Sequence, residues 1–119
     1  MNIEEVREYC LSLPHTTERC PFGPDTLSLE IGGKMFCLLD LSGSWRFYNI
    51  KVDPDYSREL RERYDSVRPG FHMNKRHWVS VDFDSGLSPD EERALLRHAW
   101  RQTARGLTRK LRFQLGITD

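Results

Sequence analysis

Ten consecutive residues, Pro69-Gly70-Phe71-His72-Met73-Asn74-Lys75-Arg76-His77-Trp78, bring two imidazoles, an amide, two cations and two aromatic rings together behind a Pro-Gly turn. That mixture is too polar for a core strand and too aromatic for a spacer. It reads as a loop that leads into a strand and displays side chains. His72, Asn74, Lys75, Arg76 and His77 suit an anionic or nucleotide-like ligand, because a phosphate accepts hydrogen bonds from all of them. Trp78 or Phe71 could supply a stacking face. The same residues also have a purely structural reading. In that reading Trp78 and Met73 are core, His77 is a satisfied strand residue, and Asn74 holds the turn.

A second constellation lies near the C-terminus. Arg93, Arg97, Arg101, Arg105 and Arg109 follow one another at intervals of four. On an α-helix that spacing drifts about 40° per step, so the guanidiniums follow one winding ridge. Lys110 and Arg112 extend the charge. Like charges four apart cost a few tenths of a kcal/mol each unless partners relieve them. The Asp90-Glu91-Glu92 turn and the acids of the preceding helix can be those partners. Left exposed, Arg97, Arg101 and Arg105 would suit phosphates.

Other chemistries find little to work with. His72 and His77 stand five apart without a carboxylate or thiol nearby, which is not metal-ligand spacing. Cys10, Cys20 and Cys37 are odd in number and form no C-x-x-C pair, so neither a disulfide framework nor a zinc site is expected. Cys10 and Cys37 sit among apolar neighbours and read as buried thiols; Cys20, before Pro21, reads as exposed. There is no G-x-S-x-G, no phosphate-cradling glycine loop and no recognisable carboxylate pair. The expectation is a non-enzymatic protein with no metal and no cofactor.

The elements that must carry these groups follow from periodicity and punctuation. Asn2 and Glu5 form a capping box for a first helix, with Ile3, Val6, Tyr9, Cys10 and Leu13 at helical spacing and Pro14 as its stop. His15 to Asp25 reads as a loop. Leu27, Leu29 and Ile31 alternate with Ser28 and Glu30, predicting a strand with one wet face. Gly32-Gly33 signals a tight hairpin, and strands over Met35–Leu41 and Trp45–Val52 complete a meander. Asp53 and Pro54 open a second helix running to about Tyr64, with its arginines and glutamates largely outside. A short strand near Ser66–Arg68 or Phe71–Met73 precedes one in which Val79, Val81 and Phe83 alternate with polar residues. Ser88-Pro89-Asp90-Glu91 caps the last long helix, whose stripe is Leu95, Leu96, Ala99, Trp100, Ala104 and Leu107. Gly106 weakens or ends it, and Thr108 caps a terminal turn through Leu115. The order α-β-β-β-α-β-β-α predicts an α+β fold of two layers. It has an antiparallel sheet of about five strands with helices mainly on one face.

Size and charge bound the function. With 119 residues, 38% hydrophobic and 30% charged, the chain reads as a single globular domain over 1–119. No apolar run approaches the ~20 residues of a membrane span, and the acidic start is no signal peptide, so a cytoplasmic location without membrane partners is expected. Formal net charge is zero, which argues against general polyanion binding. The charge is nevertheless lopsided. Residues 1–66 hold 8 basic and 12 acidic side chains, and residues 67–119 hold 10 and 6. Seven basic residues and no acid lie between Arg93 and Thr118. One basic face therefore remains open to the chain.

Four ordered motifs resemble the MmcQ/YjbR family of small bacterial proteins. They are Pro21-Phe22-Gly23-Pro24-Asp25, Gly32-Gly33-Lys34-Met35-Phe36, Lys51-Val52-Asp53-Pro54, and the Pro69 to Trp78 segment. The resemblance implies a compact α+β fold related to secretion-chaperone and frataxin-like domains. It also implies DNA binding, since members are often described as DNA-binding, largely through structural analogy to a double-wing arrangement. The chain departs from the family pattern in its heavier C-terminal arginine content and in Trp100, where a tyrosine-type aromatic is more usual. The leading expectation is a DNA-binding module with phosphate contacts from Lys75, Arg76, His77 and the C-terminal arginines. The alternatives are a chaperone-like module that binds another protein, and a small-anion pocket around His72, Asn74 and Lys75.

Overall fold

A computed structural model describes residues 1–117; Thr118, where the basic run ends, and Asp119 lie outside the described residues. Among the described residues six strands form one sheet: β1 (Thr16–Arg19), β2 (Thr26–Ile31), β3 (Lys34–Asp40), β4 (Phe47–Lys51), β5 (Val67–Pro69) and β6 (Trp78–Asp82). Their order is β1-β2-β3-β4-β6-β5, and every pairing is antiparallel. The helices are α1 (Ile3–Ser12), α2 (Pro54–Arg63), α3 (Pro89–Arg105) and α4 (Arg109–Gln114). The fold is α+β, as the element order predicts.

Local chemistry sets most boundaries. The Asn2 side chain accepts from the Glu5 N–H and the Glu5 carboxylate accepts from the Asn2 N–H, closing the first capping box. Ser88 and Glu91 repeat it at α3, while Asp53 and Thr108 cap α2 and α4. Gly32 and Gly33 take φ of +58° and +79°, the left-handed pair that a two-residue hairpin demands. The strand the sequence did not announce is β1, inside the expected loop. Its residues Thr-Thr-Glu-Arg are mostly exposed, because an edge strand need not alternate apolar and polar groups.

The core lies between the sheet and the helices. Leu29, Ile31, Ile50, Val79 and Val81 point toward Val6 and Cys10 of α1 and Leu95, Leu96 and Ala99 of α3. Leu29 pairs with Cys37, but Glu30 pairs with Met35, so Phe36 is the extra residue of a β-bulge. The bulge turns both Phe36 and Cys37 into the core, where both are fully buried.

The opposite face departs from the sequence expectation. Register aligns Arg19, Ser28, Leu38, Asn49, Ser80 and Arg68 in one row across all the strands. Ser28 and Glu30, expected to be wet, are 0% and 3% exposed, and Asn49 and Ser80 are buried too. Two loops, not helices, stand over this face: the β1–β2 loop with Pro21 and Phe22, and the β5–β6 loop with Phe71.

Candidate functional site

The β5–β6 loop is held by a closed ring of hydrogen bonds. Ser80 Oγ donates to Asn49 Oδ1 at 2.5 Å, Asn49 Nδ2 donates to the Phe71 carbonyl at 3.0 Å, and the Phe71 N–H donates back to Ser80 Oγ at 3.0 Å. Both backbone groups of one loop residue are thereby satisfied from the sheet beneath it. Gly70 fits because a Cβ there would lie 2.7 Å from Trp78 Cβ. Asn74 Oδ1 accepts from the Arg76 N–H at 2.9 Å, an Asx turn, and Lys75 Nζ donates to the Gly70 carbonyl. His72 takes φ +58°, with its ring 4.0 Å from that of Phe71. His77 is half-buried, and its carbonyl accepts from the Val52 N–H at 2.9 Å.

An aromatic cluster packs against the loop. Trp45 stacks on Phe47 at 5.1 Å and 12°, and Phe71 meets both edge-on at 5.8 and 5.4 Å. The Arg68 guanidinium lies 5.4 Å over Phe47. Asp40 positions Trp45 by accepting from its N–H at 2.8 Å. Burial opposes ionisation of Asp40, yet the donors from Trp45 and Ser42 hold its carboxyl below the ordinary carboxylate range.

The loop cations meet the outer side of α2. Lys75 and Arg76 line a cleft of about 420 Å³ with Arg58, Arg61 and Asp55 of α2. Asp55 accepts from Arg58 at 2.8 Å, and Arg61 Nε donates to Ser57 Oγ at 3.3 Å. Arg58 and Arg61 are three apart and stand within one turn or two of the Asp53-Pro54 helix start. Their place on the polar side was legible, but not what that side faces.

The arginine ridge lies elsewhere. Arg93 to Arg105 run along α3, which packs on the other face of the sheet from the loop, and Arg109 opens α4. Arg93 donates to Asp90 at 2.9 Å and Arg97 to the Tyr9 hydroxyl at 2.8 Å, so the first half of the ridge is engaged within the chain. Arg101, Arg105 and Arg109 are exposed. Between ridge and loop lies α2, whose Tyr56 ring sits 4.1 Å from His98 of α3. Burial pushes the His98 pKa down, and Arg105 and Arg101 push it further against the opposing pull of Asp53.

Trp78 is the floor of a second cleft. It is 5% exposed, and the Lys51 ammonium lies 5.7 Å from its ring centroid. Among the described residues, His72 and His77 find no third side chain with which to hold a metal. Cys10 and Cys37 are buried and Cys20 is exposed. Among the described residues no helix is long and apolar enough to cross a membrane.

A family model described as YjbR matches residues 11–102, which takes in every strand, both loops and most of α3. The chain belongs to the YjbR family. The YbdF protein of Escherichia coli O157:H7 is 36% identical over 107 residues, covering 90% of this chain and 88% of that one. YjbR of Escherichia coli strain K12 is 29% identical over 119 residues, covering 97% and 100%. A crystal structure of a Deinococcus radiodurans protein with a DUF419 domain superposes with a TM-score of 0.89 at 33% identity, over 99% of this chain and 90% of that one. In this YjbR-family chain the four sequence motifs converge on one side of the molecule. Phe22, Lys34, Met35, Lys51 and Trp78 line a single cleft there.

Proposed function

We propose that this YjbR-family chain is a non-enzymatic module that binds DNA, with phosphate contacts centred on the cleft between the β5–β6 loop and α2. The observation that carries the reading is the charge of that cleft. Arg58, Arg61, Lys75 and Arg76 face one carboxylate, Asp55, which Arg58 already engages. The Arg76 guanidinium carries no side-chain hydrogen bond among the described residues, so it can turn to a ligand. The ring that pins Phe71 supports the reading too, because a preorganised loop loses less entropy on binding. A neutral chain with one local basic cleft binds a polyanion by that patch rather than over its whole surface.

Phosphate contacts release counterions, so log affinity for duplex DNA falls linearly with log salt. With about three contacts the slope is near −3. Fluorescence anisotropy of a labelled duplex from low to physiological salt measures it. Changing Arg61 and Arg76 to Gln should flatten the slope by about two. Changing Arg101 and Arg105, on the other layer, should alter it less. A folded protein that leaves duplex DNA unbound at low salt would remove the reading.

A further inference from the structure

The second cleft lies on the loop-covered face of the sheet and encloses about 510 Å³, a volume typical of small-ligand sites. Its wall joins two parts of the chain distant in sequence, the β1–β2 loop and the start of β6. Three cations line it, Arg19, Lys34 and Lys51, against one carboxylate, Glu30. Glu30 is already satisfied: Arg19 Nε donates to both its oxygens at 2.8 and 2.9 Å, and Ser28 Oγ donates at 2.9 Å. Its charge is thus cancelled by Arg19, and the ammonium left over the cleft floor is that of Lys51. Lys34 pairs with the helix-facing Ile31 and its Nζ donates to the Gly106 carbonyl at the end of α3 at 3.2 Å, whereas the Lys51 ammonium lies over Trp78. Beside these cations Phe22 presents a ring that is 63% exposed. A cleft with an exposed aromatic face beside the Lys51 ammonium fits a flat, anionic ligand.

We infer that this cleft is a binding site for a nucleoside phosphate unit, the base lying against Phe22 above the Trp78 floor and the phosphate against the Lys51 ammonium. The unit can come from a free mononucleotide or from one nucleotide of a single strand. The bases of a duplex are stacked and paired, so duplex DNA does not offer it. The site goes beyond the duplex contact at the loop–α2 cleft and shares no residue with it.

Amide NMR of the full chain, titrated separately with dAMP, a single-stranded (dA)10, inorganic phosphate and a duplex, tests the inference. The expected result is saturable shifts at Arg19, Phe22, Lys34, Lys51 and Trp78 with dAMP or with the single strand. Phe22→Ala and Lys51→Gln, neither in the apolar core, should each weaken that binding by about fivefold or more. A strand binding at least about tenfold tighter than dAMP identifies the source as single-stranded nucleic acid, and equal affinities identify the free nucleotide. Inorganic phosphate binding as well as dAMP would overturn the inference, since the base would then contribute nothing. Shifts confined to Arg58, Arg61, Lys75 and Arg76 with either probe would overturn it while leaving the duplex reading intact. Shifts in the sheet cleft without any duplex binding would uphold the inference and remove the duplex reading. Silence from both dAMP and the single strand would overturn the inference alone, and silence from the duplex as well would remove both.

Discussion

The two faces of the sheet are built on different physics. Toward the helices, Leu29, Ile31, Ile50, Val79 and Val81 bury apolar surface against α1 and α3. That attraction is non-directional and roughly proportional to area, so any well-packed arrangement of the right volume satisfies it. On the other face, Ser28, Glu30, Asn49 and Ser80 are buried with polar groups that must each meet a partner at bonding distance. The hydrogen-bonded ring through Phe71 is the result. The contrast teaches that burial alone does not identify a core. The helix side is closed by packing, and the loop side is closed by directed bonds that fix one loop in one place.

The helix side also buries a carboxylate, and it supplies the largest expected effect. Glu92 is 1% exposed, accepts the Tyr48 hydroxyl at 2.9 Å, and meets the Met1 α-ammonium at 2.6 Å. Burial, together with the carboxylate beside it, pushes the Tyr48 pKa well above the ordinary tyrosine range. Glu92→Ala leaves an ammonium and a hydroxyl buried without their acceptor, which should cost about 3–5 kcal/mol in urea unfolding. A loss below about 1 kcal/mol would mean that those groups find water instead.

A neighbouring pair on β6 sharpens the comparison. Ser80 faces the loop and Val79 faces the helices. Ser80→Ala leaves the Phe71 N–H and Asn49 without their partner and should cost about 2 kcal/mol. Val79→Ala should cost a similar amount through lost apolar burial. Hydrogen exchange separates them. The amides of residues 70–77 should open in the Ser80 variant and stay protected, relative to global stability, in the Val79 variant. Equal loop opening in both would break the distinction drawn between the faces. Because Asn49 and Ser80 share one network, Asn49→Ala combined with Ser80→Ala should cost less than their sum.

The smallest effect is a pH slope at the α2–α3 contact. His98 Nε2 lies 4.0 Å from Asp53 Oδ2, with Tyr56, Arg101 and Arg105 around it. Its folded pKa is lowered, so the unfolded chain binds the proton more readily. The associated stability is therefore complete above the usual histidine value of about 6.5 and is lost as pH falls below it. Urea midpoints measured from pH 7.5 down to 5 should decline less in His98→Asn than in the parent. An unchanged decline would assign the slope to other groups.

The sequence by itself determined the elements whose signals are local. Both capping boxes, the Gly32-Gly33 turn and the apolar stripe of α3 follow from residues within a few positions of one another, and they appear where the pattern puts them. The resemblance to the YjbR family was carried by the same short motifs. Tertiary structure decided what those motifs face. Ser28 and Glu30 alternate as a solvated strand would, and nothing adjacent to them announces the loops that cover them. The ring of Asn49, Phe71 and Ser80 joins positions 22 and 31 residues apart, beyond the reach of any periodicity. The arginine ridge and the loop cations looked like one surface in one dimension. The sheet separates them because successive side chains on a strand point to opposite faces, and the helices and the loop each took a face of their own.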